Sequence, residues 1–383
     1  MSLHQPTVDE LFESAATFVG AGKLPSLQLA VARDGAVVAR RAFGRARSGD
    51  AVRDADDATL YNAFSATKAI VSSAVWLLWQ DGKLDFAEPA ANAIPEFATN
   101  GKEAVTIQHL LTHTAGFPMA PFSPLDWDDR ERRLERFRRW RLDWEPGSRF
   151  VYHPTATFWV LAEVIERRAG MDFRAFVRER ILTALGLDRL FLGLPAEQNA
   201  RVADIEYVGE PPDRERLRDL GISPILTDDE KYFVAYNRPE IRAVGGPGSG
   251  AVTSASSLAL FYQGLLHDLV APDGEHRVWR PATIARALEV VTGDLIDPMT
   301  RRPAHRGLGV TIAGDHERVY RSFGSANSPR AFGHAGAGGQ IAWADPESGL
   351  SFVCLTDGFD RDVIRLGMRG VVLSSLAASC VAS

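Results

Sequence analysis

Two hairpin patterns at opposite ends of the 383-residue chain constrain its fold most strongly. In the first, Asp34-Gly35 separates two apolar runs within residues 26–43, an arrangement typical of a two-residue β-hairpin turn. In the second, residues 345–349 separate two apolar runs within residues 340–355. Because an isolated hairpin is only marginally stable in water, we expect both hairpins to join one antiparallel sheet.

Helical patterns dominate the chain between and beyond the hairpins. Thr7 followed by Glu10 is a capping-box pattern, which predicts an amphipathic helix from Thr7 over residues 7–21. A closing helix is predicted over residues 361–378. Residues 45–60 are polar and are predicted to form a loop.

The predicted fold class is therefore α+β, an antiparallel sheet flanked by the terminal helices with an inserted helical domain. We expect residues 1–60 and 241–383 to form the sheet domain and residues 61–240 to form the helical domain. A site would lie in the cleft between them, where pockets form preferentially.

Composition narrows the function classes. The formal net charge of -6 gives no reason to expect nucleic acid or an anionic membrane as a partner. No apolar run approaches the roughly 18 residues of a membrane span, and the N-terminus lacks a signal-peptide pattern. We therefore expect a cytoplasmic enzyme. Its two cysteines make no disulfide framework, and its oligomeric state stays open.

The stretch Ser65-Ala66-Thr67-Lys68 carries the first chemical hypothesis. Residues three apart lie on one helical face, so the Ser65 hydroxyl and the Lys68 amine can meet. A serine becomes a nucleophile when a neighbour takes its proton, and burial within the apolar helix that follows would lower the pKa of Lys68 enough for that task. The alternative is that Ser65 only caps the helix and Lys68 is solvated.

Two further segments supply candidates for the same chemistry. Tyr152 precedes a predicted helix, and a phenol beside a lysine can pass a proton because a nearby positive charge lowers its pKa. The glycine-rich stretch His334-Ala335-Gly336-Ala337 allows close approach to a strand edge, where a free amide could join that of Ser65 in an oxyanion hole. The alternatives are a core tyrosine and a glycine-rich hairpin with a surface histidine.

These motifs, taken in order, resemble the serine β-lactamase and penicillin-binding-protein superfamily. Within it, the chain is most similar to class C β-lactamases and family VIII carboxylesterases. The resemblance rests on Ser65-Ala66-Thr67-Lys68, residues 110–116, residues 146–152, Gly333-His334-Ala335-Gly336 and residues 344–347. It implies an acylated nucleophile at Ser65, proton transfer by Lys68 and Tyr152, and an oxyanion hole formed by the Ser65 and Ala337 amides. It also implies the α/β plus all-α fold.

Two positions depart from the family pattern. Class C β-lactamases have Tyr-x-Asn, and that asparagine contacts the antibiotic's amide, but here Pro154 stands in its place. The third motif usually begins with a lysine that helps to hold the antibiotic's carboxylate, whereas here it begins with His334, which is largely neutral near pH 7. Both departures weaken recognition of an anionic β-lactam.

The sequence therefore predicts a serine hydrolase without cofactor or metal, most simply a carboxylesterase on short acyl esters. Its substrate is expected to be a small-molecule ester or amide. The alternatives are a β-lactamase, a D-amino-acid amidase or peptidase, an acyltransferase, or a weakly catalytic binding relative. We expect the substrate to contact His334 and Gly336, with a pocket wall formed by Phe117, Trp127 and Tyr232.

Overall fold

The computed structural model describes residues 3–213, 215, 230–272 and 274–381. Its α-helices are α1 (Gln5–Gly20), α2 (Thr67–Gln80), α3 (Ile107–Leu111), α4 (Arg130–Arg139), α5 (Ala156–Ala169), α6 (Phe173–Val177), α7 (Glu230–Val234), α8 (Pro239–Val244), α9 (Ala255–Val270), α10 (Pro281–Leu288) and α11 (Val363–Ala378). A π-helical turn, Arg178–Leu182, continues α6. Short 3-10 turns lie at Phe64–Ala66, Ala90–Asn92, Pro95–Phe97, Lys102–Ala104, Pro124–Asp126, Ala196–Arg201, Ala235–Asn237, Arg318–Arg321 and Ala337–Gly339.

The strands of the described residues form one large sheet and three small ones. They are β1 (Ser26–Arg33), β2 (Ala36–Ser48), β3 (Ala51–Asp54), β4 (Tyr61–Asn62), β5 (Leu190–Leu192), β6 (Glu206–Val208), β7 (Ala251–Thr253), β8 (Ile296–Asp297), β9 (Arg302–Pro303), β10 (Thr311–Ile312), β11 (Phe332–Gly333), β12 (Ile341–Asp345), β13 (Leu350–Thr356) and β14 (Gly358–Asp360). The large sheet has the order β10-β11-β12-β13-β1-β2-β3.

The two predicted hairpins meet at the centre of the large sheet. β1 pairs antiparallel with β13, so that Leu29 lies opposite Cys354, and β12 pairs antiparallel with β13 in the second hairpin. The predicted α+β class and the joining of the two ends of the chain are confirmed. The domain boundaries at residues 60 and 240 stay a prediction.

Alternate residues of β1 face opposite sides of the sheet, as the two-residue period of a strand requires. Leu27, Leu29 and Val31 belong to the cluster formed with the terminal helices α1 and α11. Ala30 and Ala32 belong to the cluster on the other face, where α9 packs against β1. The sheet is thus covered on both sides.

Two local predictions were wrong. The first helix begins at Gln5 rather than at a Thr7 cap, because Pro6 fits the first turn, where its missing N–H costs nothing. Residues 45–60 are not a loop throughout: β2 continues to Ser48 and pairs with β3. This edge carries many polar residues, so it lacks the apolar alternation that marks a strand.

Helix α2 organises the helical part of the molecule. It is buried along almost its whole length and packs against α5 and α10. Two tryptophans hold it in place: Trp76 Nε1 donates to Leu308 O, and Trp279 Nε1 donates to Ser73 O, both at 2.9 Å. The N-terminus of α2 is therefore a rigid platform. None of the described helices has the length and apolar character needed to cross a membrane.

Candidate active site

Ser65 lies at the N-terminus of α2, in the short turn Phe64–Ala66 that leads into the helix. Its side chain is half-buried, and Lys68 lies one helical turn further along. The Lys68 Nζ to Ser65 Oγ distance is 3.1 Å. The three-residue spacing on one helical face accounts for this contact.

Lys68 is fully buried and bonded mainly to backbone carbonyls. Its Nζ donates to Pro154 O at 2.7 Å and to Gly248 O at 2.8 Å. Burial lowers the pKa of Lys68 well below its ordinary value, and the positive charge of Arg306 lowers it further. A neutral amine has two N–H groups for the two carbonyls and a lone pair for the Ser65 hydroxyl. The site can therefore hold Lys68 as a base.

Tyr152 completes the group around the serine. Its hydroxyl donates to Ser65 Oγ at 2.8 Å, and its ring lies 5.2 Å from Lys68 Nζ. Burial raises the pKa of Tyr152 to about 12, although the Ser65 hydrogen bond and Arg306 act in the opposite direction. The sequence predicted a lowered pKa from a charged lysine nearby. Because Lys68 is itself held neutral by burial, Tyr152 is suited to donate or relay a proton.

A glycine-rich loop, residues 245–250, provides one of the backbone carbonyls that accept a hydrogen bond from Lys68 Nζ. A Cβ at Gly248 would lie 3.2 Å from Phe158 Cβ and 3.4 Å from Lys68 Nζ, so a side chain there would crowd the amine. The neighbouring Ser249 hydroxyl is hydrogen-bonded to that of Tyr236. The sequence alone does not indicate this role, because the partner of the loop is remote in the chain.

The segment after β11 brings a second set of backbone groups to the serine. A Cβ at Gly336 would collide with Ala63 O, so this glycine allows the segment to lie directly against Ala63, two residues before Ser65. Ala337 begins the following turn. Neither its amide nor that of Ser65 donates to any group of the described residues. Two such free amides can stabilise an oxyanion.

His334 and Arg306 lie beside Tyr152. His334 is buried, its Nδ1 lies 2.7 Å from Ala335 O, and its Nε2 lies 3.3 Å from Arg306 Nη1. Burial, followed by the charge of Arg306, lowers the pKa of His334 well below its ordinary value. The histidine is therefore neutral, with Nδ1–H donating to Ala335 and Nε2 accepting from Arg306.

Sequence reasoning missed Arg306. Its Nη1 donates to Thr311 Oγ1 at 2.6 Å, and its guanidinium carbon lies 5.7 Å from the centre of the Tyr152 ring. Its Nε is buried and has no acceptor in the described part of the chain. An arginine keeps its charge under all ordinary conditions. The site thus contains a cation where the sequence offered only a neutral histidine.

The three predicted wall residues lie in different surroundings. Phe117 is buried, its ring stacks on Trp140 at 5.7 Å, and it lines a surface groove of about 340 Å³. Trp127 is fully buried in the helical core, with ring centres of Trp159 and Phe173 at 5.2 and 5.3 Å.

Tyr232 is the exposed member of the three, with 42% of its surface accessible. It is near enough to Tyr152 to act on the pKa of that residue through charge. Its position suits a residue at the rim of the site, whereas Trp127 has no exposed surface to offer a substrate. The described residues contain no group of three or more His, Cys, Asp or Glu side chains that could hold a metal ion.

The family model described as Beta-lactamase matches residues 9–375, nearly the whole chain. The chain belongs to the beta-lactamase family. This confirms the resemblance stated from the motifs, and with it the β-lactamase-like fold. The protein is a hydrolase of the serine β-lactamase type.

The chain is similar to proteins named as esterases and to a penicillin-binding protein homologue. The protein named Esterase/beta-lactamase LipL from Mycobacterium tuberculosis is 27% identical over 331 residues, which are 80% of this chain and 70% of the relative. A penicillin-binding protein homologue from Caulobacter crescentus is 26% identical, with a TM-score of 0.77 and 97% of each chain covered. A family VIII carboxylesterase, at 23% identity, has a TM-score of 0.76 over 97% of this chain and 98% of its own, and supports the fold.

Proposed function

We propose that this hydrolase is a carboxylesterase that acts on short acyl esters through an acyl-enzyme at Ser65. The observation that carries the proposal is the position of Ser65 Oγ, 3.1 Å from Lys68 Nζ and 2.8 Å from the Tyr152 hydroxyl. A nucleophile with a base on one side and a proton donor on the other has what acyl transfer requires.

Acylation begins when Lys68 Nζ accepts the Ser65 proton and Oγ attacks the ester carbonyl carbon. The carbonyl oxygen becomes an oxyanion, which accepts hydrogen bonds from the Ser65 and Ala337 amides. As the tetrahedral intermediate collapses, the bond to the alcohol oxygen breaks and that oxygen takes the Tyr152 proton. The Lys68 ammonium then returns a proton to Tyr152, so the alcohol leaves protonated and both side chains regain their starting protonation states.

Deacylation reverses these roles. A water molecule loses a proton to the Tyr152–Lys68 pair as its oxygen attacks the acyl carbon. The second intermediate is held by the same two amides, and its collapse returns a proton to Ser65 Oγ and releases the acid. Each amide donor of an oxyanion hole is worth about 2.7–4 kcal/mol of transition-state stabilisation.

The surroundings of Pro154 favour an ester over an amide antibiotic. Pro154 has no side-chain donor or acceptor, and its backbone carbonyl is occupied by Lys68 at 2.7 Å. The position therefore offers no group for the amide that a β-lactam carries. An ester with a small apolar acyl group makes no such demand.

The direct test compares wild type, Ser65→Ala and Tyr152→Phe on a series of p-nitrophenyl esters of increasing acyl length. We expect turnover by wild type on the shortest esters, none above background for Ser65→Ala, and a large loss for Tyr152→Phe. Equal turnover by wild type and Ser65→Ala would overturn the proposal. Absence of a fluorophosphonate adduct on Ser65 in the folded protein would favour the weakly catalytic binding relative instead.

A second candidate function follows from Arg306. Arg306 is half-buried, and a guanidinium whose buried Nε has no acceptor in the described part of the chain is costly unless an anion meets it. Arginine also pairs with carboxylates through two parallel hydrogen bonds. This favours a substrate that carries a carboxylate on the His334 side, such as a peptide with a free C-terminal D-amino acid or a β-lactam.

Matched substrates separate the two candidates. A neutral ester and its carboxylate-bearing analogue are compared for wild type and Arg306→Gln. If the carboxylate matters, wild type prefers the charged analogue, and Arg306→Gln raises KM for that analogue alone. A preference for the neutral ester in both proteins supports the carboxylesterase. Nitrocefin and a D-alanyl dipeptide extend the same comparison to β-lactams and peptides.

A further inference from the structure

The two amides proposed as oxyanion donors come from segments far apart in the chain. Ser65 follows Phe64 at the start of α2, whereas Ala337 begins the turn Ala337–Gly339 after β11. A hole of this kind works only when both donors are held at hydrogen-bond distance from one oxygen. Contacts that join the two segments therefore decide its geometry.

Phe64 has a backbone conformation that needs support. Its φ of +45° lies in the left-handed region, which aromatic residues rarely adopt because it strains the backbone. Three aromatic rings surround its side chain: those of Phe233, Tyr236 and Phe359 have centres 5.6, 5.1 and 5.1 Å away. This packing holds the residue next to the nucleophile in its strained form.

Phe359 also contacts the second segment. Gly338 has a φ of +76°, and a Cβ built there would collide with the Phe359 ring, so the ring lies directly on the Gly338 backbone. Ala337 packs against the same aromatic cluster. One ring therefore contacts the residue before the first donor and the residue after the second.

The strand that carries Phe359 also contacts the turn Ala337–Gly339 through a buried arginine. Asp360, the next residue of β14, lies 3.8 Å from the Arg369 guanidinium. Arg369 is buried, and its Nη2 donates to Gly338 O at 3.3 Å. The turn that carries Ala337 is thus contacted by both a ring and a guanidinium.

We propose that Phe359 is a positioning residue that sets the distance between the Ser65 and Ala337 amides by packing on Phe64 and on Gly338 together. This rests on the proposed function, since it assigns those two amides to one oxyanion hole. Phe359 acts through its two neighbours. Its loss would slow acylation without weakening binding of the ground-state ester.

The test measures the second-order rate at which a fluorophosphonate labels Ser65, by intact mass, together with KM and kcat on a short p-nitrophenyl ester. Phe359→Leu is expected to lower the labelling rate and kcat about 10- to 100-fold, because removal of a whole donor costs about 10²–10³. KM should change less than about threefold. Phe352→Leu is the matched control, since Phe352 is also buried but lies in the separate cluster beneath the terminal helices.

A double-mutant cycle covers the case in which Phe359→Leu folds poorly. Gly338→Ala drives a methyl group into the Phe359 ring and is expected to slow labelling. The penalty should shrink when Phe359 is already leucine, because the two residues are in contact. Penalties that simply add, or a folded Phe359→Leu protein labelled at the wild-type rate, would overturn the inference. Failure of wild type to be labelled would overturn the proposed function itself, and the inference with it.

Discussion

Lys68 Nζ lies 3.1 Å from Ser65 Oγ at the end of a fully buried side chain whose other acceptors are the carbonyls of Pro154 and Gly248. The described residues give it no ion pair, and the one nearby charge that affects its pKa is the cation of Arg306. Burial and the charge of Arg306 therefore both favour the neutral amine. A serine next to such an amine has its base already in place.

The first prediction concerns the identity of the base. Lys68→Arg keeps a long side chain with N–H donors but stays cationic and cannot act as a base, so it should abolish the transfer from Ser65. We expect the rate of Ser65 labelling by a fluorophosphonate, and kcat/KM on esters, to fall about 10²- to 10⁴-fold, the range of general base catalysis. Lys83→Arg, at an exposed lysine, should have wild-type rates. Labelling of Lys68→Arg at the rate of this control would exclude Lys68 as the base.

The second prediction concerns pH. The acidic limb of kcat/KM should report the pKa of Lys68, since activity requires the neutral amine and rises as pH passes that pKa. Burial and Arg306 both lower the Lys68 pKa, so Arg306→Gln removes one of the two causes. The limb should then move to higher pH, and activity at pH 6 should fall more than activity at pH 9. An unmoved limb, measured beside the surface control Arg45→Gln, would contradict this account.

The features that the sequence predicts well are those that depend on neighbours in the chain. The hairpin turn at Asp34-Gly35 and the strands beside it follow from local residue preferences and two-residue alternation. The meeting of Ser65 and Lys68 follows from the geometry of one helical turn. Both the hairpin and the Ser65–Lys68 contact can be predicted without knowledge of any tertiary contact.

Other features depend on contacts between remote segments, and the sequence predicts these poorly. Arg306 approaches Tyr152 and His334 only because the chain folds back, and nothing distinguishes it among many arginines. The sequence shows glycines at positions 248 and 336. It does not show that Gly248 O accepts a hydrogen bond from Lys68, or that Gly336 lies against Ala63. The direction of the Tyr152 pKa shift likewise follows from its burial, which the sequence does not reveal.

The third prediction tests the close approach of Gly336. A Cβ at this position would collide with Ala63 O, so Gly336→Ala should push the Ala337 amide away from Ser65. We expect acylation to slow by up to about 10²- to 10³-fold, the cost of one lost donor, with KM changed much less.

Gly367→Ala is the matched control for the same substitution. Gly367 lies within α11, and a Cβ there meets nothing within 4 Å. Alanine should leave activity unchanged and raise the free energy of unfolding by about 0.5–1 kcal/mol, since glycine is unfavourable in a helix interior. Equal activity of the two variants would show that the approach of Gly336 to Ala63 does not matter for acylation.

Asp357 is a buried carboxyl group directly after β13. The residues that affect its pKa include no cation. Its Oδ1 accepts from Ser26 N at 2.9 Å, while its Oδ2 is buried without a donor in the described part of the chain. Burial raises the pKa of Asp357 to about 7. The folded protein therefore holds a proton here that the unfolded chain has already released above about pH 4.

The fourth prediction follows from that difference in proton binding. Between about pH 4 and pH 7 the folded state binds more protons than the unfolded state, so the free energy of unfolding falls as pH rises. Asp357→Asn keeps the acceptor for Ser26 and cannot ionise, so it should flatten this fall and be the more stable protein at pH 8 by on the order of 1–3 kcal/mol. Urea unfolding at pH 5, 6, 7 and 8 measures both proteins, with Glu13→Gln at an exposed position as control. Parallel pH dependences for wild type and Asp357→Asn would show that Asp357 is already ionised in the folded protein at pH 5. Another contact would then have to stabilise its buried Oδ2.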